Sequence, residues 1–340
     1  MRSQRSLVVA VVAGVALALS AWKGSAQSAT SAARPARKSS AAKPVPRLAD
    51  GHPDLQGVWS TATVTPFERP IDFADKEFMT EAEAAQFEKT VVARLNVDQR
   101  IGKGTDADVT LAYNDAWWDR GTRVVPTRRT SLIVDPPEGK MPALTPAGRQ
   151  HAMAVVPYSG HQDGRNLASW LDRGLWERCI TRGLPDVMLP TAYNNNFQIL
   201  QGPDSVAIVA EMIHDARVIP LDGRPHTSIR QWMGESRGHW EGDTLVVDTT
   251  NFTDETSFRG SGAGLHIVER FRRMDADTLD YRLTVDDPAT FTRPWTVDLP
   301  SRRIDGVMYE YACHEGNYAM TNALSGSRAK EAEEAARKKD

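Results

Sequence analysis

From about Tyr193 to Cys313 the chain is a string of short runs in which apolar and polar residues alternate. The cleanest is Leu279–Val285, where Leu279, Tyr281, Leu283 and Val285 alternate with Asp280, Arg282 and Thr284. A period of two puts one set on a buried sheet face and the other in water. Comparable runs cover Asn196–Gln201, Val206–His214, Ala216–Leu221, Ile229–Met233, Gly238–Trp240, Thr244–Thr250, His266–Arg273, Phe291–Leu299 and Val307–Cys313. Turn signals such as "GPDS", "DGRP", "EGD" and "MDADT" separate them. About nine short strands in this rhythm predict a mainly β fold, an antiparallel meander forming a barrel or a sandwich. In His266–Arg273, His266, Val268, Arg270 and Arg272 share one side, and Ile267, Glu269 and Phe271 the other. A face of mixed charge suits solvent or a polar lumen equally.

The first half has a different period. "MTEAEAAQFEKTVVARL" carries Phe87, Val91 and Leu95 at four-residue spacing, a helical stripe. Thr80 is its N-cap, and Glu83 completes a capping box. Thr145-Pro146 starts a second, shorter helix, since Pro suits the first helical position. Between them, residues 99–145 are irregular and rich in Pro and Gly, which predicts a wrapping segment. Val58 and Trp59 read as the start of a strand or as an anchor.

At the N-terminus, Arg2 and Arg5 precede the apolar run Leu7–Leu19 and the small residues Gly24-Ser25-Ala26. That order predicts a Sec-type signal peptide cleaved near Ala26, and hence a periplasmic or secreted protein. The run falls short of the roughly 20 residues a membrane span needs, so no stable span is expected after cleavage. The expected organisation is a signal peptide over 1–26, a disordered tether rich in Ala, Ser, Lys, Arg and Pro over 27–48, and an irregular, helical wrapping segment over 49–192. A β-barrel-like domain over 193–326 and a charged tail over 327–340 complete it.

Charge narrows the partners. The chain has 41 basic and 44 acidic residues; without residues 1–26, which hold Arg2, Arg5, Lys23 and no acid, it has 38 against 44, a net −6. No long basic stripe lies outside the tether, so nucleic acid is not expected as a partner and a small-molecule ligand or substrate is. Cys179 and Cys313 are the two cysteines. In an exported chain such a pair predicts a disulfide closing a loop of about 134 residues, worth up to roughly 4–5 kcal/mol. The alternative is a nucleophilic Cys313 beside His314. A bridge would bring Glu177 and Arg178 near His314 and Glu315.

Candidate chemistry concentrates in "EMIHDARVIPLDGRPH", Glu211 to His226. Neighbouring side chains diverge on a strand, so His214 and Asp215 are no dyad by adjacency. Asp215 and Arg217 read as fasteners of a strand end, while Arg224 and His226 project from a turn at Asp222-Gly223. "YNNNFQ" places Tyr193, Asn194, Asn195 and Asn196 before a strand, where amides satisfy a turn or line a pocket. "EYACHEGNYAM" adds Glu310, His314, Glu315 and Asn317. None of the eight histidines has tight metal-ligand spacing, and no metal is expected. No G-x-G-x-x-G after a strand, P-loop or G-x-S-x-G elbow occurs, so no cofactor is expected.

On "WERCITRG", "YNNNFQI", "EMIHDARVIPLDGRPH", "GHWEGDTLVVDTTNF", "VERF" and "YEYACHEGNYAM", the chain resembles a family of exported bacterial proteins from soil and water. The likeness runs from about Pro53 to Met320, most densely from Trp176, and implies no settled activity. The strand-rich half is also similar in architecture to lipocalin-like (calycin) barrels, whose Gly-x-Trp is echoed by Gly57-Val58-Trp59, here far upstream of the strands. The expectation is a cofactor-independent lyase or hydrolase for a small organic or glycosidic substrate, with its site at a barrel mouth. His214 or His314 would be the acid or base, Glu211, Glu310 or Glu315 its carboxylate, and Arg217 or Arg224 would steady negative charge. The alternatives are a non-catalytic binding protein for an apolar or sugar-like ligand, and an envelope scaffold.

Overall fold

Eleven strands form one antiparallel sheet. They are β1 (Gly57–Ser60), β2 (Ile133–Asp135), β3 (Asn196–Gln201), β4 (Ser205–Ala210), β5 (Ala216–Pro220) and β6 (Glu235–Glu241). β7 (Thr244–Thr250), β8 (His266–Arg273), β9 (Thr278–Asp286), β10 (Trp295–Asp298) and β11 (Ser301–Ile304) follow. The computed structural model describes residues 44–338 apart from 97, 99–103, 106–117, 155–167 and 257. The expected signal peptide and the tether up to Lys43 lie outside the described residues.

The order across the sheet is β5-β4-β3-β1-β11-β9-β8-β7-β6, with β10 pairing β9 and β2. Its two ends, β5 and β6, exchange no strand hydrogen bonds, so the expected barrel closure is absent. The ends meet through side chains instead. A Cβ on Gly238 of β6 would stand 2.7 Å from Leu221 Cδ2 and 2.8 Å from Ile219 Cγ2, a gap only glycine leaves. Ile208 and Ile219 from one end of the order share a core with Leu245, Val247, Phe271 and Tyr281 from the other. Trp59 and Trp295 are fully buried in the same core. The alternation of β9 is realised: Leu279, Tyr281, Leu283 and Val285 are buried and their neighbours are not.

The helices follow their local signals. α1 (Glu81–Leu95) has the capping box, Thr80 Oγ1 accepting from Glu83 N at 3.2 Å and Glu83 Oε2 from Thr80 N at 2.7 Å. Ala84 and Val91 are its buried residues, packed with Val64, Met79 and Val124 in a smaller cluster. α2 (Pro146–Ala154) starts at the expected proline, with Thr145 Oγ1 accepting from Gly148 N at 2.9 Å. The charged tail is helical from well upstream: α3 (Tyr318–Arg337) buries none of its residues. Among the described residues no helix is long and apolar enough to cross a membrane.

Three expected strands change. Val206–His214 ends at Ala210 and gives way to a tight turn. Ile229–Met233 is irregular, with a lone bridge from Gln231 to Phe252. Val307–Cys313 pairs with nothing, and Val307 and Tyr309 are exposed. Alternation makes a strand only where a partner edge is free, and the edge beside β11 is taken by β1, which pairs β3 on its other side.

Candidate functional site

One end of the sheet gathers strained backbone and buried charge. Cys179 and Cys313 form a disulfide with Cα atoms 5.7 Å apart. Asn317 spans the join, Nδ2 donating to Glu177 O at 3.0 Å, while its Oδ1 accepts from Met320 N at 3.4 Å and caps α3. Between β4 and β5 the chain reverses through Ile213 (φ 57°) and His214 (φ 46°). Two consecutive left-handed residues without glycine are costly, most of all at a β-branched residue. Asp215 holds the reversal: its Oδ2 accepts from Thr181 Oγ1 and from Arg182 N, both at 2.9 Å. The strained turn therefore fixes the backbone of Thr181-Arg182.

That backbone is one wall of a narrow recess of about 10 Å³, room for about one water molecule as the side chains stand. Leu175, Leu184, Phe258 and Trp232 give it an apolar lining; Arg182, Asp186 and Thr256 are its polar members. The Asp186 carboxylate accepts no hydrogen bond from a described residue. Burial pushes it up to about 6, against the attraction of Arg182 and Arg259. Arg259 is itself left-handed (φ 51°) and lies over the Phe67 ring, 5.1 Å from its centroid. Burial likewise raises Asp215 and Glu211.

The amide run before β3 is consumed by this architecture. Asn196 Nδ2 donates to Glu211 Oε2 at 2.7 Å, and the Asn194 side chain also bonds Glu211. Asn195 Oδ1 accepts from Thr191 N at 2.6 Å, and its Nδ2 donates to Thr191 O at 3.0 Å. Tyr193 stacks on Tyr311, ring centroids 6.5 Å apart.

Arg217 pairs with neither Glu211 nor Asp215. It points into the core and forms a two-pronged ion pair with Glu269 of β8, 2.6 Å for the Nη2–Oε1 prong. Tyr281 OH donates to the same Glu269 Oε1 at 2.8 Å. All three are buried, so Arg217 fastens β5 to β8 and reaches no ligand. Burial, then the Glu269 charge, pushes the Tyr281 phenol well above its ordinary range. His214 is exposed and hydrogen-bonds no carboxylate of a described residue. Glu310, His314 and Glu315 are exposed on the irregular stretch after β11, and their side chains do not engage another described residue. Arg224 is exposed and bonds Asp222, Nε to Oδ2 at 2.7 Å.

A second constellation lies on the outward face of β6–β8. Asp248 of β7 binds two imidazoles, His226 Nε2 at 2.8 Å on Oδ1 and His266 Nε2 at 2.7 Å on Oδ2. Glu235 Oε2 accepts from Thr227 N at 2.7 Å and Asn251 Nδ2 at 3.0 Å, and lies 3.7 Å from His226 Nδ1. Arg237 donates to the other Glu235 oxygen. The hydrogen bond from His266 holds Asp248 below its ordinary range, and Asp248 in turn raises His266. "LDGRPH" and "GHWEGDTLVVDTTNF" thus converge on one surface.

Asp186, Trp232, Asp248, His266 and Glu269 had no place in the sequence-based site. "GLPD" reads as a turn, and Glu269 looks like any charge on a strand. The pairing of Asp248 with His266 has a faint signal, since both occupy outward positions of neighbouring strands. Among the described residues no group of three His, Cys, Asp or Glu is arranged to hold a metal ion. No protein-family model, curated protein or solved structure matches the chain.

Proposed function

We propose that the protein is an exported β-sandwich enzyme, a lyase or hydrolase that works on a small organic molecule by acid–base chemistry in the recess. The observation that carries this reading is Asp186: a carboxylate with no hydrogen-bond donor among the described residues, lining a mainly apolar recess and pushed up to about 6. Enzymes tune a base toward neutrality in this way, by burial that penalises its charge. Above that value Asp186 is ionised and accepts a proton. Arg182 and Arg259 stand close enough to steady negative charge that develops on the substrate. The strained Ile213–Asp215 turn keeps the Arg182 wall in register. The disulfide supports an oxidising compartment, where such bonds persist.

The test pairs a chromogenic ester and glycoside panel with fragment binding followed at the Trp232 indole by NMR. Turnover should climb as pH rises through about 6, and Asp186→Asn should abolish it while leaving fragment binding in place. Fragments that bind at Trp232 with no turnover by either protein would turn the assignment to a binding protein, which the apolar lining alone would serve. A carboxyl resonance of Asp186 titrating near 4 would remove the basis for the catalytic role.

A further inference from the structure

We propose that His226, Asp248 and His266 form a protonation-dependent clasp that holds the β5–β6 connection on the sheet and so positions Trp232 at the recess. The connection, residues 221–234, has no regular structure. Its first half is pinned to the outward sheet face by His226 on Asp248, by Thr227 on Glu235 and by Asp222 beside Arg237. Its second half turns to the recess. There Trp232 O accepts from Thr256 Oγ1 at 3.0 Å, and Met233 Sδ lies 3.1 Å from Thr181 Oγ1. One short segment therefore links an ionisable surface to a wall of the recess, and His226 is the side chain that ties it to β7.

The charges around the clasp are accounted for on every side. β6 contributes Glu235 and Arg237, which pair with each other; Arg237 also faces Asp222, which bonds Arg224. β8 contributes His266 and Arg270, the latter committed to Glu241 at 2.7 Å. β9 contributes Asp286, which acts on His266. The two imidazoles share Asp248, one per oxygen, with Glu235 Oε2 3.7 Å from His226 Nδ1 and Asp286 acting on His266.

The sign follows. Asp248 raises His266, so the stabilisation from that pair is complete below the ordinary His value and fades as pH rises through the raised one. Asp248 is held down, so its contribution is present above the ordinary Asp value and is lost as pH falls through the lowered one. The clasp is tightest from about pH 4 to about pH 6.5, the ordinary values of the two groups. In alkali the neutral His266 keeps its hydrogen bond without charge, Asp248 loses that cationic partner, and the segment loosens.

Hydrogen exchange of the full-length protein, corrected for intrinsic rates, tests this without reference to any substrate. Between pH 6 and pH 9, protection of residues 222–230 should fall about three- to fivefold, the scale of a partly exposed ion pair, while peptides from β9 stay level. Asp248→Asn should give low, flat protection, and His266→Gln should flatten the profile with less loss. The fluorescence difference between wild type and Trp232→Phe should follow the same curve. A level wild-type profile, or an unchanged slope in Asp248→Asn, would overturn the proposal. Because no ligand enters the experiment, its failure would leave the acid–base reading of the recess standing, and the reverse holds.

Discussion

The recess and the outward face of β6–β8 use the same ingredients, carboxylates among cations, and arrive at opposite electrostatics. Around the recess, burial leads and Asp186, Asp215 and Glu211 are all pushed up. On the sheet face the partners lead. His266 holds Asp248 down, Arg270 holds Glu241 down, and Glu235 reaches about 2 because Arg237 and the Thr227 and Asn251 donors outweigh its burial. The difference lies in the charge of the donors: Asp215 and Glu211 accept from neutral groups, whereas Asp248, Glu241 and Glu235 accept from histidine or arginine side chains. On the outer face Asp248, Glu241 and Glu235 each have a committed side-chain partner. Asp186 has two guanidiniums within reach of its charge and, among the described residues, no donor on its oxygens.

The largest way to break the comparison is to remove the disulfide. Cys179→Ser with Cys313→Ser should cost about 2–4 kcal/mol in denaturant unfolding and release Asn317 from Glu177. The outer face should keep its exchange protection, since no part of it depends on that bridge. Next comes Asp215→Ala, which strips the acceptor from Thr181 and Arg182 and leaves the left-handed turn unsupported; a loss of about 2–3 kcal/mol is expected. The smallest effect has the opposite sign. The folded state raises Asp186 from its ordinary value to about 6, so ionising it works against folding above that pH and has no effect well below the ordinary value. Asp186→Asn should therefore stabilise the protein by about 1–2 kcal/mol at pH 8 and leave thermal unfolding at pH 3 unchanged. A loss of stability at pH 8 would mean that Asp186 is a structural fastener like Glu235, and the contrast between the two regions would collapse.

Much of the scaffold was legible because its signals are local. Thr80 and Glu83 sit three residues apart and cap α1; Pro146 opens α2; the alternation of β9 needs no partner to be recognised. The cysteine pair was legible because only one intramolecular pairing exists. What escaped was the choice of distant partner. Arg217 has Glu211 and Asp215 at hand in sequence and bonds Glu269, 52 residues away, because its side chain points into the core where Glu269 of β8 arrives. His214 was sought as a base, yet its left-handed φ turns it outward. Asp186 stayed hidden because a carboxylate after Leu-Pro reads as a turn residue until the opposite wall, Trp232 and Phe258, is in place. The strand expected at Val307–Cys313 had the right alternation and no free edge to join.

The position of β1 bears on how the chain reaches this structure. The first strand to be synthesised lies between β3, about 140 residues on, and β11, about 240 residues on. Pairings that distant must wait for long loops to close, which makes folding slow compared with a chain of neighbouring hairpins. Until Ser301–Ile304 has emerged, β1 lacks one of its two neighbours and the adjoining part of β9 an edge partner. Growth from the N-terminus therefore cannot finish the middle of this sheet early. A chain cut before Ser301 should fail to close its core even though it retains every residue that lines the recess.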